Sequence, residues 1–332
     1  MPIAAGPIDV HGHAMPWGVL RWLEEVGLAD LAGADERVVR IDSVVSGVGP
    51  GAPLPLAPSM TDATRRLAEL DELGLAAQAV SLPPFLMASR AVDGDLVREV
   101  VQRGNDALAD YCAHDDRLLA LGLVPIGFEG AADEARRCLD DLGMAGMAMG
   151  SRGAGVDLDH AVNDDVWDLL GERRAFVLLH PSATPDPARM ADYWFPQLVG
   201  YPMETAIAAA RLVFSGTLVA RPFALCLAHG GGCLPALRGR LDMGWSRKPQ
   251  ARTIDRPPSE AFRELYYDTA VFDPVLLARL VEDVGASQVL LGTDHPFDLA
   301  ELDPLGFVGS ARLTDAERSA VLEDNARRLL RL

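Results

Sequence analysis

The strongest constraint on this chain is the alternation of short, continuously apolar segments with longer segments that carry apolar residues every three or four positions. Near-continuous apolar strands are typical of a parallel sheet that is covered on both faces. Eight strands are predicted, at Pro7–Val10, Ala77–Leu82, Leu118–Val124, Met144–Met149, Ala175–Leu179, Leu225–Ala228, Leu265–Asp268 and Val289–Gly292. Helices are predicted between several of these strands, at Asp93–Ala113, Ala131–Leu142, Met203–Ser215 and Pro274–Val284.

Eight strand-helix units predict an α/β fold of the (β/α)8 TIM-like barrel type. The 332 residues, 49% of them hydrophobic, contain no internal repeat and no break in composition, so residues 1–332 are predicted to form a single barrel domain. Residues 46–58 are rich in Gly and Pro and are predicted to form an insertion loop over the C-terminal mouth of the barrel. A final helix is predicted at Thr314–Leu330, with Thr314 and Glu317 forming a capping box.

Charge and composition exclude several classes of partner. The chain has 30 basic and 48 acidic residues, a net charge of −18, and no Lys/Arg cluster, so nucleic acid is an unfavourable partner. No apolar run approaches the ~18 residues that span a bilayer, and the first residues lack the pattern of a signal peptide. The four cysteines show no CxxC spacing. We therefore expect a cytoplasmic protein that binds a small molecule, with no membrane partner.

A pair of histidines at the end of the first predicted strand is the first sign of chemistry. His11 and His13 are two residues apart, and in an extended segment such residues project to the same side. Both imidazoles can therefore converge on one metal ion. Alone, a His-x-His pair is a weak signal, because surface or core histidines show the same spacing.

Other polar side chains follow the later strands in the same way. His180, His229 and Asp294 come directly after the fifth, sixth and eighth apolar segments. The C-terminal ends of all strands of such a barrel meet at one face, where active sites lie, so these residues become neighbours of His11 and His13. Among the remaining histidines, His295 is a further pocket candidate, whereas His114 and His160 fall elsewhere.

Three neutral imidazoles and one carboxylate suit Zn²⁺, with Mn²⁺ or Fe²⁺ as alternatives. His11, His13, His180 and Asp294 are assigned as the ligands. His229 is then left as the general acid/base, followed by three glycines that would let a substrate approach the backbone. A fifth ligand or a buried structural histidine remains an alternative for His229. No lysine ends the fourth strand to bridge two ions, so one ion per subunit is expected.

Five segments along the chain together resemble a known family. They are DVHGHAMP, LLHP, PMETAIAAARLVFSG, LAHGGGCLPALRGRLD and VLLGTDHPFDLAE, in this order. The sequence resembles the branch of the amidohydrolase superfamily that contains nonoxidative decarboxylases of the carboxymuconate semialdehyde type. The resemblance implies a zinc-dependent decarboxylase of a conjugated carboxylate, dienoic or phenolic. It places ligand roles on His11, His13, His180 and Asp294, and an acid/base role on His229 or on Asp294.

The resemblance also implies a homodimer. It places Arg240 near the neighbouring subunit's active site, where its guanidinium would bind a substrate carboxylate. An ordinary surface or interface ion pair is the alternative role for Arg240. Phe297, Trp194 and Tyr193 are candidate pocket walls, although aromatic residues after strands often serve packing alone. Residues 51–54 lack an arginine that the family carries there, so the pocket has changed.

Two other functions remain open. The same ligands would serve a hydrolase or hydratase of the superfamily that acts on a lactone, an amide or a conjugated double bond, and only the products distinguish that enzyme from a decarboxylase. A non-catalytic barrel would be expected to have lost at least one of the candidate ligands. All five candidate residues are present.

Overall fold

The computed structural model describes residues 3–332, and eight parallel strands form its central sheet. The strands neighbour one another in chain order, as the alternating pattern predicts. They are β1 (Ile8–His13), β2 (Ala77–Ser81), β3 (Leu118–Val124), β4 (Gly146–Gly150), β5 (Phe176–His180), β6 (Ala224–Leu227), β7 (Tyr266–Asp268) and β8 (Val289–Leu290). Most residues of these strands are buried, because helices cover the outer face of the sheet.

Hydrogen bonds close the sheet into a barrel. The amide of Val10 donates to the carbonyl of Leu291 at 2.9 Å, and the amide of Asp294 donates to the carbonyl of His11 at 2.9 Å. Gly12 forms a parallel bridge with His295, so β1 is joined to the segment that follows β8. The predicted (β/α)8 barrel is confirmed.

The longer helices surround the barrel. Those with at least nine residues are Trp17–Glu25, Ala63–Leu73, Gly94–Cys112, Asp164–Arg173, Tyr201–Phe214, Leu234–Arg247 and Pro274–Val284. Two predicted helices contain a π-helical segment, so they run as Ala131–Arg136 with Arg137–Asp141, and as Asp315–Ser319, Ala320–Asp324 and Asn325–Leu330. Shorter helices are Ser43–Ser46, Pro58–Thr61, Thr217–Ala220, Pro258–Phe262 and Pro304–Ser310.

Side-chain caps fix where several helices begin. The carboxylate of Asp93 accepts from the amides of Asp95 and Leu96 at the start of Gly94–Cys112. At the last helix Thr314 and Glu317 form the predicted capping box, in which each side chain bonds the other residue's amide.

The segment 46–58 is not entirely a loop. Leu54–Pro55 is a short strand that pairs antiparallel with Val38–Ile41, and Val38–Ile41 also pairs with Ala29–Asp30 in a separate small sheet. Leu54 and its partner Val39 are both buried, which gives the pairing an apolar contact that the Gly/Pro content concealed.

Residues 1 and 2 of the predicted domain lie outside the described residues. Within residues 3–332, no helix combines the length and the apolar character that a membrane crossing requires.

Candidate metal centre

Five side chains from four strand ends meet at the C-terminal face of the barrel. His11 and His13 lie in β1, His180 is the last residue of β5, His229 follows β6 and Asp294 follows β8. All of them are buried except His229, which is partly exposed. The positions are those that the sequence pattern predicts, and the closed barrel brings them together.

Their nitrogen and oxygen atoms point at a common centre. Nε2 of His11 lies 3.1 Å from Nε2 of His13, and Oδ1 of Asp294 lies 3.3 Å and 3.2 Å from these two atoms. The ring of His180 lies 5.0 Å from that of His13 and 5.1 Å from that of His229. Donor atoms of His11, His180, His229 and Asp294 all lie within 4.8 Å of one another, which is a spacing that one metal ion can bridge.

In three of the histidines, Nδ1 faces away from the centre and contacts a polar group of the surrounding protein, which orients the ring. Nδ1 of His11 contacts the carboxylate of Asp268 at 2.7 Å, and Nδ1 of His180 contacts the carbonyl of Pro181 at 2.9 Å. Nδ1 of His13 lies 3.1 Å from the hydroxyl of Ser81. A carboxylate or carbonyl accepts hydrogen bonds only, so Nδ1 of His11 and of His180 carries a hydrogen, and Nε2 is the atom through which each ring can bind an ion at the centre. Metal-bound histidines show this arrangement.

His229 differs from these three. Its Nε2 lies 3.5 Å from Oδ2 of Asp294, but its Nδ1 is buried with no hydrogen-bond partner among residues 3–332. His229 also has a positive φ of 57°. The ring of His229 therefore contacts a polar partner through Nε2 only, and it lacks the hydrogen bond at Nδ1 that orients the other imidazoles.

The glycines after His229 serve packing within the protein. A Cβ on Gly230 would lie 2.2 Å from Cγ1 of Val271, and a Cβ on Gly232 would lie 2.0 Å from the carbonyl oxygen of Pro202. The chain itself occupies the space that a side chain at these positions would fill, so packing requires these glycines, and their role in letting a substrate approach the backbone stays a prediction. The amide of Gly230 donates to Asp268 at 2.8 Å, which ties this turn to the residue that orients His11.

The electrostatics of the cluster favour a cation at its centre. Burial, together with the imidazoles of His13 and His229, holds the pKa of His180 well below its usual range, and burial also lowers the pKa of His13. Burial opposes the charged form of His11 as well, but the carboxylates of Asp294 and Asp268 outweigh it and raise the pKa of His11 to about 10.

The carboxylate at the centre is anionic. Burial alone would raise the pKa of Asp294, but His11, His13 and His229 outweigh burial and hold this pKa well below its usual range. Oδ1 of Asp294 is buried without a well-formed hydrogen bond among the described residues. Imidazole nitrogens around an anionic carboxylate oxygen are the donor set that a divalent metal ion uses, so the residues present fit such an ion.

Comparison with known proteins agrees with this geometry. A family model described as Amidohydrolase matches residues 8–332. The chain belongs to the amidohydrolase family. The resemblance inferred from the five sequence segments is thereby confirmed.

Relatives of this amidohydrolase include decarboxylases. It is 32% identical over 273 residues to 2-amino-3-carboxymuconate-6-semialdehyde decarboxylase of Dictyostelium discoideum, covering 80% of this chain and 76% of the relative. It is 29% identical over 286 residues to gamma-resorcylate decarboxylase of Rhizobium radiobacter, covering 80% and 86% of the two chains.

A solved structure shares the fold. A dihydroxybenzoic acid decarboxylase from Polaromonas sp. JS666, with bound manganese and the inhibitor 2-nitroresorcinol, superposes with a TM-score of 0.79 at 23% identity. The match covers 99% of this amidohydrolase and 98% of that chain.

The predicted pocket residues of the amidohydrolase lie in different places. The ring of Phe297 lies 5.2 Å from that of His13, so Phe297 borders the cluster. Tyr193 and Trp194 are 79% and 74% exposed, and their side chains make no ring contact with the cluster. Arg240 is exposed on the helix Leu234–Arg247 and makes no ion pair or hydrogen bond within residues 3–332.

The further pocket candidate His295 is turned away from the metal centre. Its Nε2 lies 3.1 Å from Oε2 of Glu69, and its Nδ1 lies 3.4 Å from a guanidinium nitrogen of Arg66. The pKa of His295 is lowered to about 4, chiefly by burial and then by the charge of Arg66.

Sequence reasoning missed the residues that support the ligands. Asp268, the last residue of β7, orients His11, and its position as the last residue of the predicted strand Leu265–Asp268 is the signal that was available. Arg66 is fully buried and donates to the backbone carbonyl of His13. Asp9 accepts from Gln78 at 2.7 Å and from the hydroxyl of Thr293 at 2.6 Å, which ties β1 to the segment carrying Asp294.

Proposed function

We propose that this amidohydrolase is a mononuclear, metal-dependent nonoxidative decarboxylase that acts on a conjugated carboxylate, either dienoic or phenolic. The observation that carries the proposal is the cluster of four imidazoles and one carboxylate at the C-terminal face of the barrel. The proposal is supported by relatives that match most of the chain and are named as decarboxylases of such acids.

The proposed ligands are His11, His13, His180 and Asp294, holding one Zn²⁺ per subunit, with Mn²⁺ or Fe²⁺ as alternatives. The hydrogen bonds at the outer nitrogens of the three histidines support this choice, because they leave Nε2 directed at the centre. Manganese in the structurally similar dihydroxybenzoic acid decarboxylase supports a divalent ion. A bound ion would act as a Lewis acid on a substrate oxygen.

His229 is the proposed general acid. Loss of CO2 leaves an electron pair on the carbon that carried the carboxylate, and one proton must be delivered there for each CO2 released. His229 lies at the centre without an orienting partner on Nδ1, which supports a proton-transfer role over a ligand role. Oδ2 of Asp294, 3.5 Å from Nε2 of His229, would stabilise the protonated imidazole. Asp294 is thus a catalytic residue as well as a ligand.

The ring of Phe297 would form part of the substrate pocket. It packs between the rings of His13 and Phe85, at 5.2 Å and 5.7 Å, and these apolar faces would exclude water from a planar conjugated acid. Tyr193 and Trp194 are exposed, so they would contact a substrate only at the rim of such a pocket.

We further propose a homodimer in which Arg240 binds the substrate carboxylate at the neighbouring site. Arg240 is exposed and unpaired among the described residues, and the same helix exposes Leu237 and Met243. Met203 and Ile207 are exposed on Tyr201–Phe214, which packs beside that helix. An exposed apolar surface of this kind is typical of an interface.

The decisive experiment measures CO2 release from carboxymuconate semialdehydes and ortho-hydroxybenzoates by Zn²⁺-loaded, Mn²⁺-loaded and metal-stripped protein. CO2 released only by loaded protein is the expected result. Hydrated or ring-opened products without CO2, from protein that holds metal, would instead identify a hydrolase or hydratase.

Arg240 has its own test, which uses two inactive variants. When equal amounts of Arg240→Ala and His229→Ala chains are mixed, about half of the dimers are hybrids, and each hybrid has one site with both residues. Activity is therefore expected at about one site in four. No recovery in a mixture shown to contain hybrid dimers would reject the shared site.

A further inference from the structure

We propose that Arg90 is a substrate-binding residue of the same chain, which binds a second anionic group of the substrate and selects dicarboxylate over monocarboxylate substrates. The inference rests on the proposed function, because it concerns the specificity of the same site. It concerns an arginine that neither the histidine pattern nor the five matching segments single out.

The segment that carries Arg90 borders the metal centre. It follows β2 and includes Phe85, whose ring lies 5.7 Å from that of Phe297. The ring of Phe297 in turn lies 5.2 Å from that of His13. These two contacts connect the segment to the metal ligands through a continuous row of rings, along which a planar conjugated substrate could lie.

The backbone beside Arg90 is held in place. The hydroxyl of Ser89 donates to the carbonyl of Ser182 at 2.8 Å, and Ser182 comes two residues after the candidate ligand His180. Ser89 is buried, whereas Arg90 itself is exposed. The backbone next to Arg90 is thus tied to the loop after β5, and the exposed side chain of Arg90 remains accessible to a ligand.

Space and charge around Arg90 suit an anion. Gly47 lies beside the guanidinium, since a Cβ added at Gly47 would be 3.9 Å from Nε of Arg90. Because glycine has no side chain, position 47 leaves the guanidinium uncovered. Within residues 3–332 no carboxylate pairs with Arg90 and no hydrogen bond restrains its guanidinium, although the chain has 48 acidic residues. An arginine left without a carboxylate partner beside a site is available for bidentate binding of a substrate carboxylate.

The hydrogen bond from Ser89 to the carbonyl of Ser182 relates Arg90 to the centre, because Ser182 lies two residues after His180. Arg90 does not itself contact the cluster, so the group it binds is a second anion and is distinct from the carboxylate released near His229.

The test compares two ligands, an ortho-hydroxybenzoate and the same acid with a second ring carboxylate. Calorimetric binding to metal-loaded protein is measured for wild type, Arg90→Ala, Arg90→Lys and Arg136→Ala. Arg136 is half exposed and pairs only with Asp133 on a distant helix, so it controls for the loss of one surface charge. CO2 release is followed in parallel.

The wild type is expected to prefer the dicarboxylate. Arg90→Ala should weaken dicarboxylate binding about 10- to 100-fold, as loss of a charged bidentate contact does. Monocarboxylate binding should stay within about twofold, and Arg90→Lys should fall between wild type and Arg90→Ala. Arg136→Ala should match the wild type.

Three results would overturn the inference: unchanged dicarboxylate binding in Arg90→Ala, equal weakening of both ligands, or equal effects of Arg90→Ala and Arg136→Ala. Failure of the proposed function is distinguishable from these results. It would appear as no CO2 from either acid with the wild type, whereas the binding comparison reports on Arg90 regardless of turnover.

Discussion

Nδ1 of His11 lies 2.7 Å from Oδ2 of Asp268, and both side chains are fully buried. The other oxygen of Asp268 accepts from the amide of Gly230. One carboxylate therefore orients a candidate ligand and the turn that carries His229. Arrangements of this kind tune a metal site without touching the ion.

Asp268→Asn tests this relationship. The substitution keeps the shape but removes the charge that faces His11, so affinity for Zn²⁺ should fall about 10- to 100-fold. Competition with a chromogenic chelator measures the change. Asp133→Asn, at an exposed surface pair, is the matched control and should leave affinity unchanged. Wild-type affinity in Asp268→Asn would show that His11 needs no anionic partner.

His229→Ala separates the acid role from the ligand role. The variant should keep one ion per chain, measured by elemental analysis, and lose about 10²- to 10⁴-fold in CO2 release, the usual contribution of a general acid. His13→Ala, by contrast, should lose the ion. If His229→Ala purified without metal under the same conditions, His229 would be a fifth ligand.

Metal binding should release a proton from His11. In the metal-free protein the pKa of His11 is about 10, so at pH 7 to 8 its ring is protonated and must lose Nε2–H before binding an ion. Affinity should therefore rise about tenfold per pH unit as the pH increases towards 10. Calorimetry in buffers of different ionisation enthalpy measures the proton count. A count of zero would contradict the raised pKa.

Gly230→Ala should destabilise the protein. Gly230 has a φ of 59°, and a Cβ there would overlap Val271, so a loss of about 1–3 kcal/mol in the free energy of unfolding is expected. Gly309→Ala is the control, because its Cβ would meet no atom within 4 Å. Chemical denaturation compares the two. Equal stability of both variants would show that the turn can relax.

The apolar pattern predicted the barrel because each strand is buried on both faces and therefore lacks polar interruptions. It placed β3 at Leu118–Val124 and the helix Pro274–Val284 with the ends that the structure has. It ended β1 at Val10, three residues early, because the histidines that the barrel buries look polar in isolation. Leu54–Pro55 was missed since a two-residue strand has no periodicity to detect.

For the site, the rule that strand ends converge brought together His11, His13, His180, His229 and Asp294. It could not reveal which atoms hold those residues in place. The contacts of Arg66 with the carbonyl of His13, and of Asp9 with Thr293, join positions that only the closed barrel makes neighbours. The packing role of Gly230 likewise depends on Val271, a contact across the loops that no local pattern records.

Closure of the barrel has a consequence for biosynthesis. The bond between Asp9 and Thr293 joins positions 284 residues apart, and Asp294 reaches His11 across a similar interval. On the ribosome, β1 is made first but has no partner on one edge until nearly the whole barrel has emerged. Unpaired strand edges invite aggregation, and contacts between such distant positions form late. The edge of β1 therefore stays unpaired for most of the synthesis of the chain, and the side chains of the metal centre come together only near its end.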